Sequence, residues 1–360
     1  MAQAPKVIID NDFGGSVSYT PTMLFLSAGW DVLGLTVVTG DTWVNQEAAH
    51  ILRFLEVANI SSIDVYKGAV YPLINTENRY NAWASLYGGL AFAGAYLPEN
   101  DTADAQGNDP GSGNPDRVTP IPEGLPSTNA SSTSAVQFLL EQVDMYPGQI
   151  TIYTAGPLTN IALAIKMDNT WASKVQKIVV GGGYVDTLIF GATPTPSTSV
   201  YSSQDISEDF NFIFDPEAAK IVMNAPFPEI VAAGQVGNGV FLTAEFYNAS
   251  VSNVSTPVIE NLIKPYWTVG LRQKPAEINT PLWDEVTAAV AIYPEIVTQN
   301  LTTYMDVDIS DGPFYGRSYI ASNASKPVDA QQVNLVLAID TDAFYSHLLA
   351  AVQGNYSTAM

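Results

Sequence analysis

The sequence predicts an α/β fold in which a mostly parallel central sheet is covered by helices on both faces. Short strands are apolar at nearly every position, which is typical of strands that are buried on both sides. These strands alternate with segments whose apolar residues have helical spacing. The chain has 360 residues, of which 47% are hydrophobic. It can therefore bury a large core, and we expect one domain over residues 1–360.

Three strands and two helices are predicted in the first 70 residues. The strands are predicted at Lys6–Asp10, Asp31–Thr39 and Asp64–Lys67, and the first two are apolar over most of their length. A glycine-rich turn at Phe13–Gly15 follows the first strand and leads into an apolar helix over Thr20–Ala28. A second helix is predicted over Asn45–Ala58, because good helix formers there carry apolar residues three and four positions apart.

The same alternation continues in the second half of the chain. Further strands are predicted at Gln149–Thr154, Lys177–Val180 and Glu229–Ala233. Further helices are predicted at Thr133–Tyr146, Leu158–Met167, Asp215–Met223 and Val286–Ile292. Two stretches, at about residues 99–134 and 186–207, are rich in turn-forming residues and are predicted to be long loops over the active edge. Loops of this kind are often lids, although simple surface decoration explains them equally well.

Composition excludes several classes of function. The chain carries 14 Lys and Arg against 36 Asp and Glu, a formal net charge of −22. Nucleic-acid binders and proteins of anionic membrane surfaces need basic residues, so we expect no nucleic-acid partner and no membrane. Cysteine is absent, which excludes disulfides and thiolate chemistry. The two histidines are His50, in the helix predicted at Asn45–Ala58, and His347, in a last helix predicted near the C-terminus, and packing explains both best.

Glycosylation sequons predict a secreted glycoprotein. Eight Asn-X-Ser/Thr sequons occur, at Asn59, Asn100, Asn129, Asn248, Asn253, Asn300, Asn323 and Asn355. A sequon is an acceptor only on the surface of a secreted protein, so an excess of them favours an extracellular location. No signal peptide is visible, and Met1–Gln3 resembles a mature N-terminus behind an added Met.

Candidate chemistry lies where the predicted strands end. Asp10 and Asp12 close the first strand, and side chains two residues apart on a strand face the same way. Such a pair can hold a hard cation or activate a water, although a turn or a helix cap uses the same residues. Three later segments add polar groups at predicted strand ends and helix starts: Thr154–Asn160 (TAGPLTN), Glu208–Asn211 (EDFN) and Trp283–Glu285 (WDE).

Together these segments resemble the inosine–uridine-preferring nucleoside hydrolases. The D-x-D strand end, T-A-G-P-L-T-N, G-G-G-Y, D-F-N-x-x-x-D-P-E-A-A and the late Asp match in order and spacing over essentially the whole chain. The resemblance implies a Rossmann-related α/β fold and calcium-dependent hydrolysis of the N-glycosidic bond of ribonucleosides. It also implies a homo-oligomer, with a dimer favoured.

The resemblance assigns roles to individual residues. Asp12 is implied to bind Ca²⁺ and to act as the base for the attacking water. The implied further calcium ligands are the Thr154 carbonyl and the Asp284 carboxylate. The implied ribose contacts are Asp209 and Asn211. Asp10 and Asn11 are placed beside the substrate, with Asp10 supporting the metal carboxylates.

Two departures modify these expectations. The family's opening D-x-D-x-G-x-D-D reads here with Ser16 and Val17 in place of the last two carboxylates, so we expect an altered metal site with Asp41 as the nearest substitute ligand. Trp283 stands where pyrimidine-cleaving members tend to carry His. Its indole resembles that of the purine-preferring members, in which aromatic residues stack on the base, and Trp83 is a candidate for the opposite face.

Two alternatives stay open at this point. The lost carboxylates also suit a secreted nucleoside-binding protein on a decayed hydrolase scaffold. A hydrolase of another N-riboside, such as nicotinamide riboside, fits the same motifs. No dinucleotide cofactor is expected, because the Gly14–Gly15 turn is not a G-x-G-x-x-G motif.

Overall fold

The computed structural model describes residues 3–14, 18–88, 93–96, 114–119, 121, 123–185, 209–265, 267, 280–354 and 356. Eleven strands lie within these ranges: β1 (Lys6–Asn11), β2 (Asp31–Val37), β3 (Val65–Lys67), β4 (Ile150–Thr154), β5 (Lys177–Val180), β6 (Ile230–Ala232), β7 (Phe241–Leu242), β8 (Thr280–Pro281), β9 (Val297–Val307), β10 (Ser318–Ala321) and β11 (Gln332–Ile339). All but β7 and β8, which pair with each other, form one sheet.

Helices connect these strands. In the same ranges they are α1 (Thr20–Ser27), α2 (Val44–Val57), α3 (Glu77–Tyr87), α4 (Ala135–Met145), α5 (Thr159–Met167), α6 (Trp171–Lys174), α7 (Phe210–Phe214), α8 (Pro216–Met223), α9 (Gly234–Gly237), α10 (Ala244–Val251), α11 (Trp283–Ile292) and α12 (Thr341–Val352). None of the helices in the described ranges is long and apolar enough to cross a membrane.

The sheet has the order β10-β9-β11-β6-β5-β4-β1-β2-β3. Neighbouring strands from β3 to β11 pair in parallel, whereas β9 is antiparallel to both β11 and β10. Side chains of β1 alternate between the two faces: Val7 and Ile9 enter one hydrophobic cluster, and Ile8 enters the other. Because both faces are covered, every residue of β1 is buried, which explains its continuous apolar sequence.

The predicted fold class is confirmed, and all six predicted strands are present with ends that differ by no more than two residues. The second strand ends at Val37 rather than Thr39, and the late helix begins at Trp283 rather than Val286. Helix α3 and the C-terminal strands β9 to β11 were not predicted. The loop predicted at 186–207 lies outside the described residues, as does Gly15 of the turn predicted at Phe13–Gly15.

The loop predicted at about residues 99–134 is fixed to helix α2 over part of its length. Glu56 of α2 accepts hydrogen bonds from the backbone amides of Ser127 and Thr128 at 2.6 and 2.7 Å. Gln46 of the same helix accepts one from the backbone amide of Thr119 at 2.7 Å. The described part of this loop therefore packs along a helix, which disfavours a lid role for that part.

Candidate active site

The predicted strand-end residues meet at one edge of the sheet. The register pairs Asp10 of β1 with Thr36 of β2 on one side and with Thr154 of β4 on the other. Asp12 follows β1 at this edge, and Asp41 follows β2. In parallel sheets the carboxyl edge is where ligands bind. The structure thus brings together residues that are far apart in the sequence.

Asp12 lies in a narrow slot between two glycines. Its carboxylate Oδ2 accepts a hydrogen bond from the Asp41 backbone amide at 3.0 Å, and the residue is 4% exposed. A Cβ atom on Gly40 would lie 2.0 Å from Asp12 Oδ2, and one on Gly156 would lie 2.7 Å from the Asp12 backbone nitrogen. A side chain at either position would force a neighbouring atom to move, so the two glycines keep the carboxylate in its observed orientation.

Neighbouring carboxylates surround Asp12. Burial raises the pKa of Asp12 well above its ordinary value, and the negative charges of Asp41, Glu47 and Asp284 raise it further. Burial also raises the pKa of Asp284 to about 6. A carboxylate with a raised pKa is a stronger base than a solvated one, which suits the removal of a proton from water.

Asn11 holds the late carboxylate in place. Its amide Nδ2 donates to Asp284 Oδ2 at 2.9 Å and to the Ser18 carbonyl at 3.4 Å. The Tyr153 hydroxyl donates to the Asp284 backbone carbonyl at 3.0 Å. Within the described part of the chain, Asn11 Oδ1 is buried without a hydrogen-bond partner. The oxygen beside Asp284 is therefore available to a ligand.

Asp10 lies within the sheet, just before its carboxyl edge, and its hydrogen bonds hold neighbouring elements together. The side chain is fully buried, and its Oδ2 accepts hydrogen bonds from Thr36 Oγ1 at 2.6 Å and from Asn160 Nδ2 at 2.8 Å. Burial raises its pKa to about 6. Asn160 also donates to the Val37 carbonyl at 3.1 Å and accepts from the Ala69 amide at 2.8 Å. This network joins the ends of β1 and β2 to the start of α5.

Replacing Asn160 with Leu should lower the free energy of unfolding by about 4 kcal/mol, because Leu leaves several buried polar groups unpaired at once. Urea denaturation measures the change. Asn323 is exposed, and Asn323→Leu should change the free energy by less than about 0.5 kcal/mol. A loss below about 1 kcal/mol for Asn160→Leu would show that the network contributes little.

Asp209 and Asn211 are occupied by contacts with the backbone. Asp209 begins helix α7 and accepts from the amides of Phe212 at 2.8 Å and Gly183 at 2.9 Å, while burial raises its pKa to about 6. Asn211 Nδ2 donates to the carbonyls after β4 and β5, those of Ala155 at 2.6 Å and Gly181 at 2.8 Å. Both lie at the expected edge, and their contact with ribose stays a prediction.

The two tryptophans differ in their surroundings. Trp283 is partly exposed at the start of α11, directly before Asp284, and its indole nitrogen donates to Asn238 Oδ1 at 2.7 Å. Trp83 is 7% exposed, and its indole nitrogen donates to the Gly312 carbonyl at 2.8 Å. It belongs to an aromatic cluster with Tyr80. That position favours packing over the stacking role that was predicted for Trp83.

The donor chemistry of the edge suits a hard divalent cation. Carboxylate oxygens and uncharged oxygens are the ligands that calcium prefers, and the repulsion around Asp12 would be relieved by a positive charge. In the described ranges no three Asp, Glu or His side chains are arranged to hold a metal ion together. A bound cation would therefore rest on Asp12 and Asp284 with uncharged oxygens. The Thr154 carbonyl already accepts from the Gly181 amide at 2.7 Å and has one lone pair left.

Sequence reasoning missed two supporting residues. Asn160 stands in the T-A-G-P-L-T-N segment, where only Thr154 was given a role of its own. Glu47 stands in the first turn of α2 and is fully buried. An acidic residue in a first turn is usually explained by the helix dipole. Glu47 lies on the apolar face of α2, close to Val44, Ala48 and Ile51 in the sequence, and this position was the signal that it has a role in the interior.

Known proteins share this fold and sequence pattern. The family model for inosine-uridine preferring nucleoside hydrolase matches residues 7–346. Uncharacterized protein C800.11 of Schizosaccharomyces pombe is 29% identical over 99% of this chain and 87% of that protein. Uridine nucleosidase 1 of Arabidopsis thaliana is 33% identical over 61% of this chain, and the match spans 53% of that protein, about half its length.

A solved structure agrees with the fold. A purine-preferring ribonucleoside hydrolase from Gardnerella vaginalis superposes with a TM-score of 0.69 at 20% identity, over 98% of this chain and 99% of that one. The family match covers all but the two ends of the chain, and the sheet presents the matched segments at one edge. The chain therefore belongs to the inosine-uridine preferring nucleoside hydrolase family.

Proposed function

We propose that this chain hydrolyses the N-glycosidic bond of purine ribonucleosides to free base and ribose, with Asp12 as the base. One observation carries the proposal: a buried carboxylate of raised pKa is held in a glycine slot at the ligand-binding edge of the sheet. Family membership supports N-riboside hydrolysis, and the local geometry supports the role of Asp12.

In the proposed step, Asp12 takes a proton from a water as that water attacks the anomeric carbon. The carbon–oxygen bond forms while the bond from the anomeric carbon to the base nitrogen breaks. The base leaves with the bonding electrons and takes up a proton from solvent, and Asp12 afterwards returns its proton to solvent. The transition state resembles an oxocarbenium ion, and the carboxylates of Asp41 and Asp284 stabilise its positive charge.

The proposed metal is Ca²⁺. Asp12 and Asp284 would hold it, with the Thr154 carbonyl as a further ligand. Asp41, the other predicted ligand, does not form a three-carboxylate group with them in the described residues and would have to turn toward the ion to bind it. When bound, the ion would hold the ribose hydroxyls and act as a Lewis acid toward the water. Support comes from the oxygen-rich donor set and from the unpartnered Asn11 Oδ1 beside Asp284.

The proposal also specifies the substrate class, namely purine rather than pyrimidine nucleosides. Its support is the indole of Trp283, which is held by Asn238 next to Asp284 and is partly exposed. A purine offers more area for stacking on an indole than a pyrimidine does. The similar proteins do not decide between purine and pyrimidine substrates, because the Arabidopsis protein is named a uridine nucleosidase and the Gardnerella protein is named purine-preferring.

Replacing Trp283 with Phe should lower kcat/KM for inosine about 10-fold and for uridine less than about 3-fold, because Phe offers less stacking area. Initial rates of ribose release measure both. Trp83→Phe is the matched control, and a residue that only packs should leave the inosine-to-uridine ratio unchanged. Equal losses on the two substrates for Trp283→Phe would remove the basis for purine preference.

Ribose release from guanosine, adenosine, inosine and uridine tests the proposed function. We expect release from the three purine nucleosides at rates well above that from uridine. Faster release from uridine would make the chain a pyrimidine nucleosidase. Release from none of the four would favour a nucleoside-binding protein or a hydrolase of another N-riboside, such as nicotinamide riboside.

We also infer that the protein is secreted and glycosylated. Six of the eight sequon asparagines lie within the described residues, and all six are exposed: Asn59, Asn129, Asn248, Asn253, Asn300 and Asn323. Exposure is what a glycan acceptor requires. A mass loss on treatment with peptide N-glycosidase would support the inference, and protein found only inside cells would contradict it. The homodimer stays a prediction, to be tested by light scattering.

A further inference from the structure

Glu47 is a buried acid to which the sequence assigns no role. It lies in the first turn of α2, is fully buried, and accepts a hydrogen bond from the backbone amide of Thr42. Placing a carboxylate in the interior costs free energy unless it is bonded. Its charge is also close enough to Asp12 for the two to repel. Burial and repulsion both destabilise the charged form of Glu47, so its presence at this position requires an explanation.

Glu47 connects to Asp12 through one turn of backbone. Glu47 accepts a hydrogen bond from the backbone amide of Thr42. The residue before Thr42 is Asp41, and its backbone amide donates to Asp12 Oδ2 at 3.0 Å. Gly40, on the other side of Asp41, closes the turn with a hydrogen bond from its amide to the Thr42 carbonyl at 3.1 Å. Moving the Thr42 amide would therefore move the donor that orients the Asp12 carboxylate.

The far end of the same turn is also fixed. The Val44 amide donates to Thr39 Oγ1 at 2.9 Å, which ties the start of α2 to the segment that follows β2. Glu47 lies one helical turn beyond Val44 and reaches back to Thr42, in the way that an acid in the first turn satisfies an amide before the helix. The turn is thus held on the helix side by Glu47 and on the side of β2 by Thr39.

We propose that Glu47 is a positioning residue for Asp12, acting through the Asp41–Thr42 turn. The inference rests on the proposed function, because it gives Asp12 the role of base. Glu47 bonds the backbone amide at Thr42, and that amide fixes the donor at Asp41. A displacement of about 1 Å at a catalytic group costs on the order of 100-fold in rate, so a distant contact of this kind matters to catalysis.

Two substitutions separate positioning from charge. Glu47→Gln keeps an oxygen for the Thr42 amide and removes the charge, whereas Glu47→Leu removes both. We expect Glu47→Gln to retain kcat within about 3-fold and Glu47→Leu to lower kcat about 50-fold, with KM within about 3-fold in both. Hydrogen exchange of the peptide over residues 39–47 should speed up in Glu47→Leu and stay near wild type in Glu47→Gln.

Glu56 provides the matched control. It lies on the same helix and accepts the Ser127 and Thr128 amides at 2.6 and 2.7 Å. We expect Glu56→Gln and Glu56→Leu to leave kcat within about 2-fold, even where they lower the melting temperature. Unchanged exchange in the peptide over residues 150–154 shows that each variant is folded.

Three outcomes would overturn the inference. Equal losses of kcat in Glu47→Gln and Glu47→Leu, with weaker calcium binding by calorimetry, would make the charge of Glu47 the essential property. Wild-type kcat in Glu47→Leu would remove any role in catalysis. Exchange at residues 39–47 that is equal in all three proteins would contradict the positioning itself. If the wild type released no ribose, the proposed function would fail, and exchange alone would decide whether Glu47 holds the turn.

Discussion

Asp12→Asn should lower kcat for ribose release from inosine by about 1,000-fold, because a positioned base contributes about 100- to 10,000-fold. Asn has the same shape and still offers an oxygen to the Asp41 amide, but it cannot take a proton from water. Burial and three neighbouring carboxylates raise the pKa of Asp12, so loss of its charge should not destabilise the fold. Steady-state kinetics and thermal melting measure the two effects.

Asp340→Asn is the control for this substitution. Asp340 begins helix α12 and accepts from the Ala343 amide at 3.0 Å, and Asn begins helices about as well as Asp. We expect wild-type kcat from that variant. Retention of more than a tenth of wild-type kcat in Asp12→Asn would mean that another group removes the proton.

Gly40→Ala should lower kcat about 100-fold, since a misplaced catalytic group costs about that much. The new Cβ would lie 2.0 Å from Asp12 Oδ2 and 2.7 Å from Pro157 Cδ. The carboxylate is the more mobile neighbour, so we expect it to move and to lose the hydrogen bond from the Asp41 amide. The fold should persist, because a side-chain movement relieves most of the clash.

Gly239→Ala is the matched control. The nearest heavy atom to a Cβ at Gly239 is 3.9 Å away, and that position is free of the clash found at Gly40. We expect the Gly239→Ala variant to have wild-type kcat and a melting temperature close to that of wild type. Full activity in Gly40→Ala would show that the slot does not orient Asp12.

Physical reasons explain which parts of the fold could be predicted. Strands β1, β4 and β5 are buried on both faces, and their continuous apolar runs are visible in the sequence. Strand β9 has a mixed pattern, because its first eight residues are all exposed or half-buried at the side of the sheet. Helix α3 was missed because it buries only Tyr80 and Trp83, too few apolar residues for a helical period.

The sequence could predict several residues of the candidate site, but it could not predict the hydrogen bonds that connect them. The family pattern pointed to Asp12, Asp284 and Thr154. In the structure Asp12 and Thr154 lie at the carboxyl edge of the sheet, and Asp284 lies beside that edge, in contact with Asn11. Local sequence could not show that Asn11 holds Asp284, because that contact joins the first strand to a helix near the other end of the chain. For Trp83, tertiary packing buries most of the side chain, which favours a packing role, and its stacking on the base stays a prediction.

The purified protein with inosine, before and after chelation, tests the central claim most directly. We predict that the untreated protein releases ribose, that removal of bound metal stops the release, and that added Ca²⁺ restores it while Asp12→Asn stays inactive throughout. Elemental analysis confirms that the metal has been removed. Undiminished release from metal-free protein, or equal release from wild type and Asp12→Asn, would contradict metal-assisted hydrolysis with Asp12 as the base.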